Sequence, residues 1–156
     1  MVVQSSAPLT VPDTFRALAE VFSGIKARDI RQESGGTQNN AGEMFPTGVA
    51  AMLFQMGPLG NHDVFLDIGA GIGNVLAQVA LTTKVGKCIG VEVRYDLCSL
   101  PVQHMRRHAV TYPLLRKVAM VAGDVRDALL STQVPTSDVT IVSTKHFLLK
   151  NPRSWI

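Results

Sequence analysis

The chain has little of what staples a small fold from outside. Two cysteines, Cys88 and Cys98, are all it carries. Their ten-position spacing, with no histidine pair beside it, matches neither a C-x-x-C redox motif nor a zinc site. Cys88, set inside an apolar run, therefore reads as a buried free thiol. Charge is sparse as well, 17% of residues against 46% hydrophobic, and no apolar run reaches the length of a membrane span. The opening Met1-Val2-Val3-Gln4-Ser5-Ser6 lacks the basic region and hydrophobic core of a secretory leader, so a nuclear or cytoplasmic location is expected and secretion is not. Repeats and low-complexity tracts are missing too. The 156 residues suffice for one buried core but not two, and a single α/β domain is expected.

What the chain does have is the stretch Val64-Phe65-Leu66-Asp67-Ile68-Gly69-Ala70-Gly71-Ile72-Gly73-Asn74. An apolar strand runs into an acidic turn with glycine at alternate positions, and a helix, Asn74 to Leu81, opens behind it. Glycines at 69, 71 and 73 let the backbone turn sharply and approach a ligand without Cβ in the way, and the helix offers its unpaired N–H groups to the same place. The dinucleotide fingerprint G-x-G-x-x-G needs a small residue at position 74, which is Asn here. The pattern is D-x-G-x-G-x-G instead. Asp67 at the strand end would repel a pyrophosphate and attract an ammonium or a sulfonium. That combination is the pattern of S-adenosylmethionine-dependent methyltransferases with a Rossmann-like, mostly parallel sheet, for which the expected strand order is 3-2-1-4 with helices N-terminal to it.

Two further acids follow the same plan. Lys87 to Glu92 is a short apolar strand ending in a carboxylate about 25 positions after Asp67, where a βαβ unit sets an acid against ribose hydroxyls. Val118 to Gly123 is a third strand, and Asp124 behind it can accept a hydrogen bond from an adenine amino group. One such acid is commonly a helix cap or a solvated turn; three at the carboxyl ends of successive strands mark the crevice where sheets of this type bind ligands. Asp138 to Thr144 reads as the fourth strand. Residues just past it, Ser143, Thr144, Lys145, His146 and Phe147, would reach the methyl group and the acceptor, with Ser143, Thr144 and Phe147 the candidates for the reacting end. A Ser-Thr pair there equally serves to end a strand.

Upstream, Asp13 is expected to cap a helix that places Phe15, Leu18, Phe22 and Ile25 on one face. Arg28 to Asn40 is polar and expected to be an exposed loop, and Gly48 to Gln55 a second helix. Residues 1–45 thus form a helix and polar loop, and 46–156 a cofactor-binding core within the same domain. Tyr95 to Lys117 gathers Arg106, Arg107, Arg116 and Lys117 beside His104 and His108. With a net charge of +3 this permits contact with nucleic acid, but the solvated side of a crossover helix explains it more simply. The histidine pair has no third ligand in view, so no metal is expected.

From Gly42 to Phe147 the chain resembles the nucleosomal histone lysine methyltransferases of the disruptor-of-telomeric-silencing type. The resemblance rests on Gly42-Glu43 before a helix, the Asp67 to Gly73 turn with Asn74-Val75 and Gln78-Val79-Ala80 after it, Gly90-Val91-Glu92, Gly123-Asp124, and Val139 to Phe147. It implies that Glu43 closes over the methionine moiety of S-adenosylmethionine, with Asp67 on its ammonium, Glu92 on its ribose and Asp124 on its adenine. Gly42, Gly69, Ala70, Gly71, Gly73, Asn74 and Val125 complete the implied cofactor set. The chain departs from the family at Ala41, where an aromatic is usual, at Asn74 in place of Gln, at Val125 in place of an adenine-stacking aromatic, and at Ser143-Thr144-Lys145 in place of Asn-Asn-Phe. A fifth strand and final hairpin are expected to be missing, together with the aromatics of a lysine channel. The edge of the fourth strand would then be bare, for a partner or a second copy to cover. The implied activity is methylation of a protein lysine, with histone or nucleosome as partner and no membrane. Methylation of RNA or a small molecule, and a non-catalytic cofactor-binding subunit, are the alternatives.

Overall fold

A computed structural model of the chain describes residues 7–26, 44–128, 136–144 and 148–150. Its elements run α1 (Val11–Phe22), α2 (Pro46–Met56), β1 (Val64–Ile68), α3 (Asn74–Thr82), β2 (Lys87–Glu92), α4 (Tyr95–His108), a 3₁₀ turn (Pro113–Lys117), β3 (Val118–Ala122), the short α5 (Val125–Ala128), β4 (Ile141–Thr144) and β5 (Leu148–Lys150). The sheet order is β3-β2-β1-β4-β5. The first four strands pair in parallel, as expected.

β5 was not expected. It runs antiparallel to β4, pairing Ile141 with Lys150 and Ser143 with Leu148, so the edge anticipated as bare is covered along most of β4. An antiparallel strand needs only a short connection to reach that edge, whereas a parallel one needs a crossover of a dozen residues or more.

Strand alternation sorts side chains onto two faces. Phe65, Cys88 and Ile141 are fully buried on one face, under Leu76, Val79 and Ala80 of α3 and Val49 of α2. Leu66, Ile89 and Val91 point to the other, with Ala128 and Val139. α3 is apolar almost all round and buried from Val75 to Leu81, because its far side meets Ala17, Leu18 and Val21 of α1 and Met105 of α4. At Gly90 α3 and its turn sit tightly against the sheet. A Cβ there would lie 2.5 Å from Leu76 Cδ1, 2.6 Å from Met120 Sδ and 2.8 Å from Ala70 Cβ.

α1 corrects one expectation. Its N-cap is Thr10, whose Oγ1 accepts from the Asp13 N–H at 3.3 Å, and Asp13 sits in the first turn. Pro12 explains the offset, since the first turn is where a missing N–H costs nothing. The buried face is Thr14, Ala17, Leu18 and Val21. Phe15, Leu18, Phe22 and Ile25 do share one side, as expected, and line a hollow of about 270 Å³ beside Met44, Ile72 and Asn74.

Candidate active site

The carboxyl ends of β1, β2 and β3 converge on the glycine turn. Gly69, Gly71 and Gly73 all take left-handed φ values, 77°, 57° and 79°, which side chains with a Cβ resist. Gly73 is the N-cap of α3, and no side chain caps that helix end. The turn is fastened from beneath. Gly69 and Ala70 N–H both donate to the Val91 carbonyl, at 2.8 and 3.1 Å, and Gly73 N–H donates to the Ala70 carbonyl at 2.9 Å.

Glu92, buried at the end of β2, fastens the turn from the side. Its Oε2 accepts from Gly71 N–H at 2.8 Å and its Oε1 from Arg94 N–H at 3.0 Å. Each oxygen keeps a lone pair for a further donor such as a ribose hydroxyl. The sequence placed Glu92 toward a ligand; its second task, bracing the turn, joins residues too far apart for any local motif to reveal.

Asp67 is also buried, at 6% exposure, next to Gly90 on β2 and Ser143 on β4 in the strand register. Burial pushes its carboxyl up to about 7; a hydrogen bond from the Ser143 side chain opposes that rise and the Glu92 charge adds to it. A buried acid poised near neutrality beside the exposed Gly69 is suited to receiving a cation.

Asp124 is more open. Arg126 engages it with the backbone N–H and Nε on Oδ1, both at 2.9 Å, and with Nη2 on Oδ2 at 2.6 Å, which holds the carboxyl down at about 2. It therefore stays ionised, with an arginine already in place where an adenine amine would compete. Space remains above the site, since a Cβ built on Gly69 or on Gly123 (φ 150°) would meet nothing within 4 Å. Three carboxylates around the glycine turn fit a ligand with an ammonium, vicinal hydroxyls and an amino-substituted base.

Of the other candidates, only some join this cluster. Ser143 is buried beside Asp67 and Thr144 is half-buried on the opposite face of β4. Asn74 donates Nδ2 to the Met44 carbonyl at 3.1 Å, and Gln78, one turn on, donates Nε2 to the Pro46 carbonyl at 2.8 Å. Sequence reasoning used Gln78 only as part of a resemblance; a buried amide on an otherwise apolar helix is the signal that could have marked it as a tether. Val125 opens α5 behind Asp124. Gly42, Glu43 and Phe147 lie outside the described residues. Cys88 is buried as expected, which drives its thiol up to about 12. Among the described residues no group of three or more His, Cys, Asp or Glu could hold a metal, and no helix is long and apolar enough to cross a membrane.

A family model described as the histone methylation protein DOT1 matches residues 22–150. The chain belongs to the DOT1 family. A relative from Emericella nidulans, a histone-lysine N-methyltransferase specific for H3 lysine-79, is 33% identical over 148 residues, covering 89% of this chain and 29% of its own length. A protein of the same description from Dictyostelium discoideum is 47% identical over 62 residues, covering 39% of this chain and 3% of that one. This DOT1 chain thus spans under a third of the curated relatives it matches. The fold is also that of a geranyl diphosphate methyltransferase solved with GPP and sinefungin, with a TM-score of 0.53 and 14% identity over 86% of this chain and 55% of the other.

Proposed function

We propose that this chain carries the S-adenosylmethionine site of a protein lysine N-methyltransferase whose acceptor is histone H3, on a nucleosome or free. The observation that carries the reading is the coincidence of the DOT1 match over 22–150 with carboxylates at three successive strand ends around the glycine turn. The bound cofactor supplies an electrophilic methyl group on a sulfonium. Asp67 would hold the ammonium, Glu92 the ribose hydroxyls and Asp124 the adenine amine, with Glu43, outside the described residues, the candidate for the methionine end. Methyl transfer to an amine asks little acid–base chemistry of the protein beyond in-line alignment and exclusion of water. The lysine must arrive neutral, and an apolar channel that disfavours its charged form achieves this without a dedicated base.

Calorimetric titration with S-adenosylhomocysteine and, separately, with NAD tests the cofactor. Binding of the first and not the second is expected, and a preference for NAD would overturn the reading. Methyl transfer from labelled S-adenosylmethionine to nucleosomes, free histone H3 and RNA, assayed side by side, tests the acceptor. Label in a histone H3 lysine supports the proposal, label in RNA alone replaces it, and cofactor binding without transfer to any of them supports the cofactor-binding subunit instead.

A further inference from the structure

We propose that Ser143 is a positioning residue for the cofactor site, its hydroxyl donating across the β1–β4 pair to the Asp67 carboxylate and holding it charged and aimed at the incoming ammonium. The inference rests on the cofactor reading above and deepens it at one atom.

Asp67 stands in register with Ser143 in the parallel ladder, so both side chains leave the sheet on the same face, the one α3 covers. Both are nearly inaccessible, at 6% and 3% exposure. A carboxylate buried so deeply needs hydrogen-bond donors to stay ionised. The backbone N–H groups of the adjoining turn are committed elsewhere: Gly69 and Ala70 N–H to Val91, Gly73 N–H to Ala70, and Gly71 N–H to Glu92. Among the described residues, the side-chain donor to Asp67 is the Ser143 hydroxyl.

The surrounding charges make the donor matter. Glu92 from β2 acts on Asp67 with like charge, and Cys88 on the same strand is held as a neutral thiol, with Lys117 acting on it from beyond. α2 and α3, the helices over this face, contain no charged residue. Among the described residues of these elements no cation compensates Asp67, which makes the serine its stabilising partner until an ammonium arrives.

The test is the pH dependence of S-adenosylhomocysteine binding by the 156-residue chain between pH 5.5 and 8.5, together with a carbon-13 carboxyl titration of Asp67 without ligand. In the wild type, binding weakens toward acid as Asp67 takes up its proton. Ser143→Ala should raise the midpoint by about one pH unit, weakening binding about tenfold at pH 6 and much less at pH 8.5. Ser143→Thr keeps the hydroxyl and should keep the wild-type midpoint. An unmoved midpoint in Ser143→Ala, or a loss of affinity equal at every pH, would overturn the proposal, because a packing role predicts either. Should the alanine variant fail to fold, Ser143→Cys, of similar size but a weaker donor, is read in its place and must show the raised midpoint. Absence of binding by the wild type at every pH would overturn the cofactor reading and this role with it. The unliganded titration still reports, on its own, whether Ser143 governs Asp67.

Discussion

Asp67 weakens the protein it serves. With its carboxyl held at about 7 against an ordinary 3.8, the native state keeps a proton that the unfolded chain has already released. The contribution is therefore full below about 4 and is lost as pH rises to about 7. Asp67→Asn should flatten that stretch of the stability profile and raise the unliganded protein's stability at pH 8 by up to a few kcal/mol, while abolishing cofactor binding; urea melts at pH 5 and pH 8 give the comparison. An unchanged slope would show that the buried carboxyl does not set it. Glu92 has the opposite balance. Glu92→Ala strips Gly71 and Arg94 N–H of their acceptor, so it should lower stability even without cofactor, by about 1–3 kcal/mol, and weaken S-adenosylhomocysteine by roughly ten- to a hundred-fold. Thermal melts of the unliganded variant check the first half, and a wild-type melting temperature would mean Glu92 braces nothing. The identities of these acids were legible because each ends an apolar run. Their partners were not: Glu92 and Gly71 are 21 positions apart, and Asp67 meets Ser143 only once β4 has docked.

Elements show where local reading suffices. β1, β2 and β3 begin where their apolar runs begin, since strand alternation and the glycine turn are written within a few residues of one another. α1 kept its place but lost its expected cap, because Pro12 moved the helix start to Thr10. β5, three residues long, has no pattern of its own and takes its shape from the edge of β4. The seat of α3 on the sheet was equally hidden, and Gly90 is a tight point of it. Gly90→Ala must push on Leu76, Met120 and Ala70 at once. The first two have flexible ends, but Ala70 belongs to the turn. We expect a loss of about 1–3 kcal/mol accompanied by weaker cofactor binding, measured by thermal melting and calorimetry on the same variant. Loss of stability with wild-type affinity would show that the turn is decoupled from the sheet.

Across the whole molecule, the described helices crowd one side of the sheet: α1 to α4 build two apolar clusters there, while the other face meets α5. β1 and β2 lie within the sheet, and hydrogen exchange should be slowest at their amides and fastest at β5, among the described strands an edge strand of only three residues. Protection at β5 equal to that at β1 would point to a further strand or partner on its outer edge. The two amide tethers of α3 carry a different implication, one about ancestry. Asn74 and Gln78 grip main-chain carbonyls, at Met44 and Pro46, and every residue type presents a carbonyl. The segment that follows Glu43 is thus free to drift in sequence while staying moored, whereas the helix that moors it is not. In a library of all single substitutions selected for cofactor capture, position 44 should accept many residues of similar bulk and position 78 almost none, so the record of selection at the lip of the site would be written in the helix behind it.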